Sequence, residues 1–206
     1  MRQHDVKAKR KYPSGMDLVE KRAFACQLEI RGSDQSTTIE GYAAVFDTLS
    51  EDLGGFREII VGGSFKRTLK AGADVRALVD HDPSKILGRN KAGTLSLRED
   101  DHGLRVRIKP PDTTAGRDVV ESLRRGDLDQ MSFAFSVVSD TWDTIDGQEV
   151  RTITDVDLHD VSVVAYAAYT DTTVAVRSLD KARAANSLRA TIFSQGAIVD
   201  AIKRRG

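Results

Sequence analysis

Apolar positions along the chain recur mostly at every second residue, in short runs separated by turn-forming residues, which is a strand pattern. In "FACQLEI", Phe24, Cys26, Leu28 and Ile30 share one face, and "TIEGYAAVFD" resumes the alternation after a polar turn. "DVRALVDHD" alternates again and sets Val75, Ala77, Val79 and His81 on one side of an extended segment. "GTLSLREDDHGLRVRIKP" predicts a hairpin, with Leu95 and Leu97 on one arm and Leu104, Val106 and Ile108 on the other. "QMSFAFSVVSDTW" places Met131, Phe133, Phe135 and Val137 opposite the small Ser132, Ala134 and Ser136. A hairpin turn at Asp146-Gly147 and a last long strand, "DVDLHDVSVVAYAAY", follow.

Helical spacing is confined to three segments. "GGSFKRTLKAG" predicts a short helix with Ser64 as its cap, Phe65 and Leu69 as its apolar pair and Gly72 as its stop. "TTAGRDVVESLRRGDLD" predicts a second, capped by threonine, apolar at Val119, Val120 and Leu123, and stopped at Gly126. "SLDKARAANSLRATIF" has helical composition. At least six short strands with few helices predict a mostly β fold with peripheral helices, in the form of a compact antiparallel β-barrel.

Composition adds boundaries. The 206 residues are 40% hydrophobic, enough for one domain with tails. The single cysteine, Cys26, excludes an intrachain disulfide and a cysteine-rich zinc site. No run approaches eighteen apolar residues and the N-terminus lacks the apolar stretch of a signal peptide, so the expectation is a soluble, intracellular chain with no membrane partner. The net charge of zero conceals an asymmetry: residues 1–22 carry seven Lys/Arg against three Asp/Glu, and 177–206 carry seven against two. Of 31 residues of each sign, that leaves 17 basic and 26 acidic for residues 23–176. The expected organisation is a basic, disordered arm at 1–22, a core domain at 23–177 and a basic helical segment at 178–206. Basic ends suit an acidic protein partner; without interleaved aromatics they do not make a nucleic-acid surface.

Histidine is the side chain best suited to proton transfer near neutral pH. His4 falls in the arm and His102 in a hairpin turn, which predicts surface positions for both. His81 and His159 fall on predicted strands, where a hydrogen-bonded structural role is the commoner one. Ser132, flanked by bulky Met131 and Phe133 on a face of small residues, has room above it for a substrate, although small residues also let another element pack closely. Asp160 shares a predicted face with Val156, Leu158 and Ser162, and a carboxylate on an apolar face requires a partner. Period two puts His159 and Asp157 on the opposite face, so only one of His159 and Asp160 can orient a catalytic imidazole. A serine nucleophile needs a base, and the base a third group that holds its tautomer. No G-x-S-x-G elbow is present. A metallohydrolase using His81, Asp82, His159 and Asp160 is a competing reading that lacks a compact motif such as H-E-x-x-H.

The blocks "GYAAVFD", "FREIIVGGSFKRTL", "VRALVDHDPSKILGR", "LDQMSFAFSV" and "HDVSVVAYAAYTDT", in this order from about residue 24 to 177, resemble the prohead (procapsid maturation) protease family of tailed bacteriophages. That family is similar in fold to the herpesvirus assemblins. The resemblance implies an assemblin-like serine endopeptidase with His81 as base, Ser132 as nucleophile and Asp160 as third member. Many relatives carry glutamate at that third position and assemblins a histidine, which keeps the adjacent His159 as the alternative. It further implies no metal or cofactor and action inside the assembling procapsid in the host cytoplasm. The implied partners are the major capsid protein and the scaffold protein or scaffold-like segment, with self-cleavage and a homodimer as further expectations. Lys85 and Arg89 are candidates for shaping the substrate side. The alternative of another class is a catalytically inactive capsid-assembly chaperone or scaffold partner on the same fold.

Overall fold

The computed structural model describes residues 10–11, 18–25, 28–32 and 37–166. His4, Cys26 and the helical segment expected after residue 177 lie outside the described residues. The elements in chain order are β1 (Arg10–Lys11), β2 (Glu20–Ala25), β3 (Glu29–Arg31), β4 (Thr38–Val45), β5 (Phe56–Ile60), α1 (Lys66–Lys70), β6 (Arg76–Val79) and β7 (Asp82–Arg89). After a short 3₁₀ turn come β8 (Leu95–Glu99), β9 (Gly103–Ile108), α2 (Thr114–Arg125), β10 (Gln130–Ile145) and β11 (Gln148–Val164).

The spine is the β10–β11 hairpin. Asp146 and Gly147 both take positive φ, 51° and 80°, between the paired Ile145 and Gln148. That is the turn whose twist matches a two-stranded ribbon, and Asp-Gly favours it. The two predicted pieces on either side thereby merge into two strands of 16 and 17 residues. Each is long enough to host two short neighbours in succession. The free edge of β10 pairs with β2 near one end and with β1 further along. The free edge of β11 pairs in parallel with β5 at Glu149–Ile153 and with β6 at Asp160–Val163. Between them the chain stays on that edge: Val156 N donates to Ser64 O at 3.1 Å and Leu158 N to Thr68 Oγ1 at 3.3 Å. β7 then pairs with β6.

A second sheet has the order β3-β4-β9-β8. The two sheets share one core, in which Ile39, Leu104 and Ile108 from the smaller sheet meet Met131, Phe133, Phe135 and Val163 from the larger. Phe133 stacks on Phe135 with ring centroids 4.7 Å apart. The mostly β character expected from the sequence is present, and the hairpin at β8–β9 and the helix α2 form as expected. Thr113 Oγ1 accepts from Gly116 N, and Gly126 (φ 76°) ends that helix. Closure is different from the expected antiparallel barrel: among the described residues the strands fall into two sheets, and two pairings on β11 are parallel. The cause is the length of β10 and β11, whose edges branch the sheet instead of rolling it shut.

Three local expectations also change. "FACQLEI" is divided between β2, which pairs with β10, and β3, which pairs with β4. Ser64 does not cap α1; its hydroxyl donates to the carbonyls of Val61 and Ile153 and fixes the corner before the helix. β2 begins at Glu20, within the stretch read as an arm, and both Glu20 and Arg22 are buried. Among the described residues no helix is long and apolar enough to cross a membrane.

Glu20 and Arg22 belong to a buried ionic network that alternation could not foretell. Arg151, 1% exposed, donates to Asp140 (2.8 Å), Glu20 (3.0 Å) and Glu58 (3.2 Å). Arg22 donates to Glu20 (2.6 Å) and Glu58 (2.9 Å). Burial pushes the Glu20 carboxyl up, but Arg151 and Arg22 together outweigh it and hold it below its ordinary value. Burial likewise opposes the charge on Arg151, and its three carboxylates more than offset this. Removing one member strands the others, so Arg151→Met is expected to cost about 3–5 kcal/mol in urea unfolding. Because the folded pKa of Glu20 is depressed, its contribution is full above the unfolded value and is lost as pH falls through the folded one. Glu20→Gln is expected to flatten that acid limb in a stability-versus-pH series, beneath a lower plateau at neutral pH.

Candidate active site

Ser132 lies in β10 opposite Ser162 of β11, and Ala134 lies opposite Asp160. Directly paired residues project to the same face, so these four side chains share one side of the sheet while Met131, Phe133 and Phe135 fill the core on the other. The next pair is Phe135 with Leu158, which leaves His159 as an extra residue on β11. This bulge reverses the side-chain parity of the strand. Val156 and Leu158 face the core before it, Val161 and Val163 after it, and Asp160 and Ser162 are turned to the outer face. The sequence expectation had Asp160 on the face of Val156 and Leu158; the bulge overturns it.

His81 arrives from the turn between β6 and β7. It is not on a strand: β6 ends at Val79, β7 begins at Asp82, and Asp80 and His81 are the two central residues of a tight hairpin turn. Both have positive φ, 50° and 57°, the signature of a type I′ turn. Neither residue is glycine, and left-handed backbone costs an ordinary residue roughly 1–2 kcal/mol. Local bonds offset this: Asp80 N donates to Val163 O at 3.0 Å, Ala165 N to Asp80 Oδ1 at 3.2 Å, and His81 N to Ser162 Oγ at 3.3 Å. Asp82-Pro83 therefore does not turn the chain away from the site; it opens β7.

From this turn the imidazole reaches across β11. His81 Nδ1 lies 2.6 Å from Asp160 Oδ1, and His81 Nε2 lies 2.7 Å from Ser132 Oγ. An ionised carboxylate only accepts, so Asp160 holds the proton on Nδ1 and leaves Nε2 as the acceptor for the serine hydroxyl. Ser162 joins the set: its hydroxyl donates to Asp160 Oδ1 at 2.9 Å and lies 3.2 Å from His81 Nδ1. Sequence reasoning placed Ser162 on the face of Asp160 and gave it no role. The available signal was the i, i+2 spacing, which sets a hydroxyl beside a carboxylate on a strand.

Most of the arrangement is covered, and the Asp160 side chain is 16% exposed. Ser132 and Ser162 are 0% exposed, and the His81 side chain 5%. The small residues on the outer face of β10 do not form an open groove at this point, since Ala134 is also buried.

The other candidates separate from the site. His159 is exposed and its Nε2 pairs with Ser136 Oγ at 2.9 Å, away from the ring of His81. The bulge carries it to the same face as Asp160, one step along the strand beside Ser136, while Asp160 takes the Nδ1 of His81. Asp82 is engaged by Ser84 N (2.9 Å) and Ser84 Oγ (2.6 Å), which hold its carboxyl below the ordinary range. The four residues of the metal reading therefore do not converge, and among the described residues no group of three or more His, Cys, Asp or Glu is gathered. Lys85 and Arg89 belong to β7, paired with Asp82 and Asp74 respectively. His102 is an exposed turn residue set edge-on to Tyr42.

An acceptor nitrogen on a serine hydroxyl, with a carboxylate behind the ring, is a constellation able to generate an alkoxide-like nucleophile. The profile of the caudovirus prohead serine proteases matches residues 25–186. No curated protein sequence matches the chain significantly. Among solved structures, the bacteriophage T4 capsid assembly protease, gp21, is similar with a TM-score of 0.50 and 11% identity, over 71% of this chain and 96% of that one. Identity at that level speaks for the fold alone. The profile spans most of the 206 residues, and on it the chain belongs to the caudovirus prohead serine protease family.

Proposed function

We propose that the chain is a serine endopeptidase of procapsid maturation in which Ser132 is the nucleophile, His81 the general base and Asp160 the residue that orients the imidazole. The observation that carries this reading is the unbroken relay from Ser132 Oγ through both ring nitrogens to Asp160 Oδ1, at 2.7 and 2.6 Å. Ser132 Oγ attacks the scissile carbonyl as its proton passes to His81 Nε2. The imidazolium, stabilised by Asp160, gives that proton to the departing amine, leaving an acyl group on Ser132. Water then enters, loses a proton to His81 and releases the new carboxyl terminus. Ser132 is fully buried, so a peptide carbonyl needs an approach to Oγ that this conformation does not expose.

The substrates under this reading are the scaffold protein or the scaffold-like segment of the major capsid protein, inside the procapsid, with the protease itself as a further substrate. Support comes from the family, named for prohead processing. The basic ends give a further support: chain segments of positive charge suit an acidic scaffold surface. A homodimer remains part of the proposal.

Co-expression with the adjacent capsid and scaffold genes, read by intact mass of the capsid subunit, tests the reading. Ser132→Ala and His81→Ala are each expected to abolish processing, with a loss on the order of 10⁶ in kcat that is not additive in the double variant. Unchanged processing by Ser132→Ala would instead favour the non-catalytic assembly partner. Asp160→Asn, which lets the wrong tautomer form, is expected to lower kcat by about 10⁴. His159→Ala, a surface change away from the relay, is expected to stay within about twofold of wild type.

A further inference from the structure

We infer that Ser162 is a positioning residue of this site, one that holds the backbone of His81 and the carboxylate of Asp160 in register with each other. The inference rests on the triad reading above and adds a fourth group to it. One hydroxyl makes three of the contacts that define the relay's geometry. It accepts from His81 N at 3.3 Å, donates to Asp160 Oδ1 at 2.9 Å and stands 3.2 Å from His81 Nδ1. Directionality makes these contacts compatible. With its proton committed to the carboxylate, Ser162 Oγ turns its lone pairs to the two N–H groups of His81.

The backbone explains why such a group is needed. His81 sits in a left-handed turn that an ordinary residue leaves readily, and its part-buried peptide N–H finds its acceptor in Ser162 Oγ. Ser162 supplies that acceptor from β11, the strand that also carries Asp160. The turn bearing the base is thereby referenced to the same strand as the acid, two residues apart. Ser162 also faces Ser132 across the β10–β11 pair, so all three relay residues are set from one position. A residue that served packing alone would not need its hydroxyl: at 0% exposure a buried O–H costs free energy unless it is bonded.

The hydroxyl has a chemical consequence as well. Its proton on Asp160 Oδ1 spreads the carboxylate's charge, and removing it concentrates that charge on His81 Nδ1–H. The pH dependence of the rate should therefore change when Ser162 loses its hydroxyl and be kept when threonine retains it.

The test uses the full chain and a fluorophosphonate probe that phosphonylates the activated serine. Ser162→Ala and Ser162→Cys are compared with Ser162→Thr, which keeps a hydroxyl, and with Ser132→Ala. The expected result is a fall of about tenfold or more in the labelling rate constant for the Ala and Cys variants, with little change in probe affinity. Their pH–rate profile and the His81 titration followed by NMR both depart from wild type, and Thr restores both. A purely structural role would lower the folded fraction and leave rate per folded site, pH limb and His81 titration unchanged, overturning the inference. If Ala folds poorly, the Cys variant carries the same readouts. Labelling that persists in Ser132→Ala would bring down the triad reading, and the role of Ser162 with it. Labelling that depends on Ser132 while Ser162→Ala and Ser162→Cys match wild type would remove Ser162 alone.

Discussion

The register between β10 and β11 is the constraint on which the rest depends. It sets Ser132 against Ser162 and Ala134 against Asp160. Nothing in those polar pairs is strong enough to fix it; the core does so. Met131, Phe133 and Phe135 are each 0% exposed, and burying side chains of that size is worth roughly 1.5–3 kcal/mol apiece. A slip of one residue would carry all three to the outer face and drive serine and alanine into the core. The apolar packing therefore holds Ser132 at its address.

Two irregularities then convert a regular sheet into a site. The bulge at His159 turns Asp160 away from the core, where an unmodified strand would have left it beside Leu158. The left-handed turn at Asp80–His81 lifts the imidazole off the edge of β6 and over β11. Each costs regular pairing or backbone comfort, and the turn is held by bonds that regular structure does not make, to or from Ser162, Val163 and Ala165. Strain at such positions persists only where the surroundings over-determine it.

The sequence made the strands, the β8–β9 hairpin, the Asp146-Gly147 turn and the second helix legible because each has its own local chemistry: alternation, a left-handed glycine, a threonine cap. His81, Ser132 and Asp160 became legible through ordered blocks that resemble a family, not through periodicity. Periodicity alone erred on two of the three: it placed His81 on a strand and Asp160 on the apolar face. The reason is physical. A bulge inserts one residue with no compositional mark, and every parity assignment beyond it inverts. Asp-His is also not the Asn-Gly or Asp-Gly pair that announces such a turn. The buried ions were illegible for a similar reason, since Glu20, Arg22 and Arg151 read as exposed charge until four strands bring their partners together.

That ionic network and the proposed catalytic relay occupy opposite halves of the same long hairpin, and they answer different needs. The network ties β2, β5, β10 and β11 through charges that are fully enclosed, so those strands cannot separate without exposing uncompensated ions. Ser132 is also buried, while the Asp160 side chain is 16% exposed, and on the proposed reading a substrate has to reach Ser132. Opening by parting β10 from β11 would break the Ser132–Ser162 pairing that defines the relay and would pull on the network as well. Access to Ser132 that keeps the β10–β11 pairing in place leaves both intact. The half of the hairpin built from buried charge thus anchors the half that carries the proposed site.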